Sequence, residues 1–406
     1  MRQNFTSLKY KYIMIMVLSG MFGFPISVGI KAEPLRAPEF SSSLEKALEG
    51  VPRPFFPEFS RPVNHHYQSA FPDGKTAIYT LDPVLQEKMK KYLKDYRVPY
   101  GVFVAIDPSS GKVLALAEYS RFKPNVKGLS VKATYPAASV FKLVTAAAAL
   151  EEKKAGPDTM ISFHGGLYHL RKRNWEDDPE RDFKMISLSD ALARSANVPF
   201  AKVANRWLDN ATLLFYANAF GFNRPISFEI PVQISHAFIP EDRKQVAFTA
   251  AGFGDIEMSP IHGALIASAI ANGGDFLVPH LIEKIVDRDG NELYAPTREV
   301  VGQVASKNTT DILKEMMGKT VIMGTSRRAF RSSHRSAALR DITIGGKTGT
   351  LTGNDPHGKY SWFVGMAPLE KPEIAIAALV INNGRWRIKG SDIAKEGFTA
   401  FFKRSE

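Results

Sequence analysis

Leu81 to Tyr96 repeats its apolar residues at helical spacing, whereas Val102 to Asp107 and Lys112 to Glu118 are apolar runs on either side of the turn Asp107-Pro108-Ser109-Ser110-Gly111. The first pattern predicts a helix and the second a β-hairpin. A helical middle follows. Ser139 to Glu152 is rich in alanine, and Ser187 with Asp190 three residues on has the form of a capping box. Ser259, Pro260 and Asn272-Gly273-Gly274 supply the cap, first residue and stop of a further helix. Ile342 to Thr350, Tyr360 to Met366 and Glu373 to Ile381 read as strands, before a last helix from Ser391 to Lys403. Strands from both ends of this region therefore enclose a helical insertion, and no internal repeat is present. The expected fold class is α/β of the α+β type: one antiparallel sheet flanked by helices, with a largely helical subdomain beside it.

Two segments precede that region. Arg2, Lys9 and Lys11 stand before Tyr12 to Ile30, a stretch without a charge. This predicts an export signal, either retained as a membrane anchor with its positive end inside or cleaved. Gly20, Gly23 and Pro25 interrupt the apolar run, and Ser27-Val28-Gly29 or Ile30-Lys31-Ala32 offers a small-residue cleavage site. Glu33 to Lys75 is dense in proline (Pro34, Pro38, Pro52, Pro54, Pro57, Pro62, Pro72) with one short helical stretch, Ser42 to Leu48, and reads as a semi-extended spacer. The expected organisation is an export signal or anchor at 1–32, a spacer at 33–76 and a folded domain at 77–406. The bulk of the chain is then exported and works in the cell envelope.

The net charge of +12 is compatible with nucleic acid, an anionic envelope surface or acidic lipid, and does not choose among them. No Lys/Arg run is dense enough to form a nucleic-acid arm. Arg171-Lys172-Arg173 with Trp175, and Arg385-Trp386-Arg387, read as solvated charge or contacts to an anionic polymer, so no nucleic-acid partner is expected. The absence of cysteine excludes disulfides, thiol nucleophiles and Cys-based zinc sites. The histidines, His65-His66, His164, His169 and His262 among them, show no metal-ligand spacing, and neither metal nor cofactor is expected.

Acyl transfer through a serine needs a nucleophile, a base in reach, oxyanion donors and groups that hold the substrate. In Ser139-Val140-Phe141-Lys142 the two polar residues are three apart on a predicted helix, so they share a face. The same spacing recurs at Ser43/Lys46, Ser109/Lys112 and Ser120/Lys123, but only Ser139 opens an apolar helix that can be buried. Burial matters because a lysine is a base only when neutral, and desolvation with a nearby cation lowers its pKa. Ser195-Ala196-Asn197 precedes Val198-Pro199, which interrupts a helical pattern and predicts an exposed loop; Ser306-Lys307-Asn308 is a decoy for it. Lys347-Thr348-Gly349-Thr350 follows the strand-like Ile342 to Gly346, where glycine admits a ligand backbone. Taken singly, these are a capping serine, a solvated lysine and a strand-end turn.

Ser-x-x-Lys, then Ser-x-Asn, then Lys-Thr-Gly resembles the signature of penicillin-binding protein transpeptidase domains and related β-lactamases. The similarity extends through Tyr79-Thr80-Leu81-Asp82-Pro83, Val104-Ala105-Ile106-Asp107-Pro108, Phe253-Gly254-Asp255 and Ser361-Trp362-Phe363-Val364-Gly365, covering Ala77 to Ser405. It implies Ser139 as nucleophile, Lys142 as base and Ser195 as proton relay. Asn197 would hold the substrate amide. Lys347, Thr348, Gly349 and Thr350 would receive the terminal carboxylate of a D-alanyl-D-alanine stem laid along the strand, with the amides of Ser139 and Thr350 as oxyanion hole. The form is a short one, since the roughly 45-residue spacer cannot build a pedestal domain. The implied function is a D,D-transpeptidase acting on peptidoglycan stem peptides, with β-lactams as covalent inhibitors. A D,D-carboxypeptidase or endopeptidase, a class D-like β-lactamase, and a β-lactam sensor or cell-wall scaffold are the alternatives. The acidic residues nearest after Asn197 are Asp209 and Glu229, and Glu229 lacks the Glu-x-x-Leu-Asn pattern associated with class A deacylation.

Overall fold

The computed structural model describes residues 65–403 apart from 172, 334 and 335, together with positions 44, 46, 49, 62 and 63. A five-stranded antiparallel sheet carries the fold: β1 Tyr100–Ile106, β2 Val113–Tyr119, β3 Gly345–Asn354, β4 His357–Ala367 and β5 Ile374–Asn382, in the order β3-β4-β5-β1-β2. The first hairpin thus lies beside strands from the far end of the chain, as the sequence pattern implied.

These strands read as continuous apolar runs because both faces of the sheet are covered. Val102, Val104 and Ile106 of β1, with Leu379 and Ile381 of β5, enter one core; Phe103 and Ala105, with Ile376 and Val380, enter a second. Period-two alternation therefore separates two apolar sets instead of apolar from polar. The helices of six residues or more among the described residues are α1 Pro83–Asp95, α2 Lys142–Glu151, α3 Leu188–Ala193, α4 Asn197–Trp207, α5 Asn210–Ala219, α6 Arg243–Ala250, α7 Pro260–Ala271, α8 Lys307–Ile322 and α9 Gly390–Lys403. Leu85, Met89 and Leu93 of α1 and Ile393, Phe398 and Phe401 of α9 fill the second core. On the other face α7 is buried at every residue, as a helix that is apolar all round must be. The caps form as expected: Ser187 Oγ accepts from Asp190 N at 3.1 Å, and Ser259 caps α7 with Pro260 at its first position.

The spacer reading gives an incomplete account of residues 65–75. Tyr67 is buried, and Gln68–Ala70 pairs with Thr76–Tyr79, which pairs in turn with Ile282–Val286 in a four-stranded sheet. A three-residue strand is too short to show alternation. In the expected stretch Ser42 to Leu48, Leu44 and Lys46 are helical, while most of the proline-rich segment lies outside the described residues.

Gly390 opens α9 directly against β4. A Cβ there would lie 2.6 Å from the backbone carbon of Trp362 and 2.7 Å from Phe363 N, neither of which can move aside. Gly390→Ala is expected to destabilise the fold by about 1–3 kcal/mol. Gly166→Ala, where a Cβ meets nothing within 4 Å, should stay within about 0.5 kcal/mol. Denaturant unfolding of the two variants checks this, and equal midpoints would contradict it.

Candidate active site

Ser139 lies on a tight turn, Ala138–Phe141, that runs straight into α2. Ala138 has φ of +51°, a left-handed conformation that costs a residue with a Cβ roughly 1–2 kcal/mol. Backbone packed from two sides enforces it. Gly252 approaches so closely that a Cβ would lie 2.5 Å from Ala138 O, and a Cβ on Gly349 of β3 would lie 3.1 Å from Ala137 O. The serine is thereby presented at the end of the apolar helix, half-buried.

Lys142, one turn later, is fully buried. Its Nζ lies 2.8 Å from Ser139 Oγ, 2.8 Å from Asn197 Oδ1 and 2.5 Å from Ala251 O. Desolvation, and then the charge of Lys347, hold its pKa well below the usual lysine value. Both effects favour the neutral amine, whose hydrogen bonding follows from its valence. A neutral amine has two N–H donors and one lone pair, while the carbonyl oxygens of Asn197 and Ala251 can only accept. They take the two N–H groups, and the lone pair is left for the Ser139 hydroxyl. The arrangement can remove a proton from Ser139 and from neither other neighbour.

Ser195 sits between α3 and α4 with φ of +55°, its Oγ accepting from Lys347 Nζ at 2.7 Å. Asn197 is the first residue of α4, and Pro199 falls in the first turn of that helix. The expected loop Ser195–Asn197 is thus shifted by one residue, to Arg194–Ala196, and Ala196 is buried in it. Proline opens the new helix instead of ending the old one, since the first turn needs no intrahelical N–H. The free N–H groups of Asn197 and Val198 both donate to Leu167 O, at 2.8 and 3.0 Å, and Asn197 Nδ2 donates to Tyr168 O at 2.7 Å.

The strand carrying Lys347, Thr348, Gly349 and Thr350 also differs from expectation. It begins at Gly345 and runs on to Asn354, so these residues are mid-strand, while Ile342–Ile344 lie outside it. Continuous pairing with β4 from Gly345↔Met366 to Asn354↔His357 overrides the poor strand propensity of the glycines. Lys347 is fully buried, donates also to Thr348 O at 2.7 Å, and has its pKa lowered to about 7 by desolvation. Thr348 Oγ1 lies 2.6 Å from Thr325 Oγ1, and Thr350 is exposed.

The structure thus brings Ser139, Lys142 and Asn197 into one hydrogen-bond cluster and Ser195 and Lys347 into a second, with Thr348 and Thr350 on the strand of Lys347. Sequence reasoning missed Ala251, Leu167 and Tyr168, which act through backbone carbonyls and so leave no trace in residue type. The decoys have local uses. Ser109 Oγ donates to Asp107 Oδ1, Ser120 Oγ donates to Pro99 O, and Ser306 caps α8; Ser43 lies outside the described residues. Asp209 caps α5, and Glu229 accepts from Leu281 N and Ile282 N at 3.0 Å, so neither carboxylate turns to Ser139. Among the described residues no group of three His, Asp or Glu side chains is placed to hold a metal ion.

Burying Lys347 without a carboxylate has a consequence for stability. Its folded pKa is depressed from 10.5 to about 7, so below pH 7 the fold carries the full cost of a buried charge, and that cost fades as pH rises towards 10.5. Lys347→Met should therefore raise the Tm by a few degrees at pH 6 and by much less at pH 10. Calorimetry at the two pH values decides, and a lowered Tm at pH 6 would contradict the sign.

Residues 101–403 match the family model described as the penicillin binding protein transpeptidase domain. The peptidoglycan D,D-transpeptidase PbpA of Mycobacterium tuberculosis is 28% identical over 389 residues, covering 84% of this chain and 74% of that protein. Stage V sporulation protein D of Bacillus subtilis is 26% identical over 337 residues, 76% of this chain and 50% of that one. Among solved structures, the D,D-transpeptidase domain of a peptidoglycan glycosyltransferase from Eggerthella lenta superposes with a TM-score of 0.67 at 24% identity, covering 89% and 87% of the two chains. The imipenem acyl-enzyme complex of penicillin-binding protein A from M. tuberculosis gives 0.66 at 24%, covering 80% and 78%. These likenesses show the fold, and the family match shows membership: the chain belongs to the penicillin-binding protein transpeptidase domain family.

Proposed function

We propose that the chain is an exported D,D-transpeptidase that forms an acyl-enzyme on Ser139 and cross-links peptidoglycan stem peptides. The observation that carries the reading is the buried Lys142 amine, whose lone pair has only the Ser139 hydroxyl to face. In this mechanism Lys142 takes the proton of Ser139 as Oγ attacks the penultimate D-alanyl carbonyl. The amides of Ser139 and Thr350 hold the oxyanion. Ser195, bonded to Lys347, passes a proton to the departing D-alanine, and an acceptor amine then releases the acyl group. Asn197 orients the donor amide, and Lys347, Thr348 and Thr350 receive the donor's terminal carboxylate, with Gly349 keeping the strand open to its backbone. That carboxylate would restore the positive charge on Lys347, which burial alone brings to a pKa of about 7. Segment 1–32 exports or anchors the chain, the part of 33–76 that precedes Tyr67 and the paired strand Gln68–Ala70 spaces it from the membrane, and 77–406 holds the catalytic domain. No helix among the described residues is long and apolar enough to cross a membrane, and Tyr12 to Ile30 lies outside them.

For the hydrolytic alternative, neither of the two carboxylates the sequence offers is free to activate a water. Asp209 and Glu229 are engaged elsewhere, and two of the three neighbours of Lys142 Nζ are acceptor-only carbonyls that would repel the oxygens of a carboxylated lysine.

Intact-mass spectrometry of penicillin-treated protein should show one adduct lasting many minutes, mapped to the Ser139 peptide and lost in Ser139→Ala. Lys142→Ala should slow its formation about 10²- to 10⁴-fold. Rapid return to the free mass would favour the β-lactamase, and an adduct on Ser139→Ala would mean a different nucleophile. Muropeptide analysis of a deletion strain should show fewer cross-links; longer stem peptides with normal cross-linking would make the enzyme a carboxypeptidase.

A further inference from the structure

A cleft of about 580 Å³ is lined by Leu170, Arg171, Arg173, Trp175, Glu176, Lys244 and Phe248. Its floor is apolar: Trp175 is 8% exposed, and Leu170 and Phe248 are half-buried. Its rim is cationic. Glu176 is the one carboxylate in the lining and is committed to Arg173, its Oε2 2.5 Å from Arg173 Nε. Among the described residues neither Arg171 nor Lys244 has an ion-pair partner; Lys244 Nζ instead lies 5.8 Å from the centre of the Phe248 ring.

Both walls are close in the chain to residues that hold the Ser139 cluster. On one side, Tyr168, whose carbonyl holds Asn197 Nδ2, is two residues from Leu170 and three from Arg171. On the other, Ala251, whose carbonyl holds Lys142 Nζ, is three residues from Phe248, and Ala251 N donates to Phe248 O at 3.1 Å. In the proposed pose, with the terminal carboxylate at Thr348 and Thr350 and the next amide at Asn197, the residues that follow Tyr168 in the chain are those that line this cleft. Exposed arginine and lysine around a buried indole suit a chain segment that brings both apolar surface and a negative charge.

We infer that the Arg171–Lys244 cleft is a subsite for a carboxylate carried by the donor peptide upstream of its D-alanyl-D-alanine end. The inference rests on the transpeptidase reading for the identity of the peptide. Arg171 and Lys244 bind the carboxylate, and Trp175 and Phe248 pack against the apolar part of the same segment. The subsite selects acidic stems over amidated ones.

Binding can be measured without turnover by fluorescence anisotropy on the full chain carrying Ser139→Ala. The probes are a fluorescein-labelled pentapeptide ending in D-Ala-D-Ala with one free side-chain carboxylate upstream, and the same peptide with that group as carboxamide. The acid should bind about tenfold more tightly, in line with a charge-assisted pair at a partly exposed site. Adding Arg171→Gln and Lys244→Gln should abolish the difference. Arg385→Gln with Arg387→Gln removes the same charge from a loop whose Arg387 Nη1 bonds Tyr96 O at the end of α1, and should keep the preference. Equal binding of the two peptides, or loss of preference in both double variants, would overturn the inference. Failure of the transpeptidase reading shows separately, as absence of the penicillin adduct on Ser139.

Discussion

The site depends on one constraint: a lysine amine buried beside a serine hydroxyl with no negative charge to balance it. Lys142 stays without a carboxylate partner among the described residues, so desolvation, and then the charge of Lys347, favour its neutral form. Everything around Nζ then follows from counting donors and acceptors. Two carbonyl oxygens must occupy the N–H groups, and the hydroxyl must take what is left. Removing either carbonyl would free an N–H to turn towards Ser139 and remove the directionality of the lone pair. Asn197 and the Ala251 turn are thus part of the base as much as the amine is.

Holding those groups in register needs a rigid frame, and the sheet supplies it. With both faces of β1, β4 and β5 buried, the central strands cannot slip by one residue without exchanging two well-packed cores. Strand β3 is then fixed by its pairing with β4, and Gly349 lets it close on the Ser139 turn. The left-handed conformations of Ala138 and Ser195 persist because this packing over-determines them. Strain at two of the three motifs is stored where the hydroxyls must be aimed and is offset by the burial around them.

The sequence was legible wherever one side chain reported one requirement. Helix caps at Ser187 and Ser259, the alanine-rich α2 and the apolar strands each have a local physical signature, and these elements stand where the pattern places them. Lys347 and Gly349 could be recognised but not located correctly, because ladder bonds from β4, a non-local partner, extend a strand through residues with little strand propensity. Pro199 was misread in a similar way, since one proline can end a helix or open the next, and the loop carbonyl of Leu167 that receives the new helix's N–H groups lies thirty residues earlier in the chain. Ala251 and Tyr168 were illegible altogether, because any residue type offers the same carbonyl.

Lys202 shows the opposite treatment of a buried lysine in the same fold. Both lysines are fully buried. Lys202, on α4 like Asn197, is met by Asp182 Oδ2 at 2.5 Å, Asp177 Oδ1 at 3.3 Å and Glu176 O at 2.6 Å, and Asp182 is further held by His164 and by Asp178 N. This is the ordinary solution for a charge removed from water: pairing plus hydrogen bonds on the remaining atoms. It also ties residues 164–182, the segment that supplies Leu167 and Tyr168, onto the helix that begins with Asn197. One α4 lysine thus uses its charge to anchor the loop, and the anchored loop's carbonyls position the asparagine that orients the amine of a second lysine. Had the chain placed a carboxylate beside Lys142 as it does beside Lys202, the amine would hold its proton and Ser139 would face an ammonium with no lone pair to accept from it.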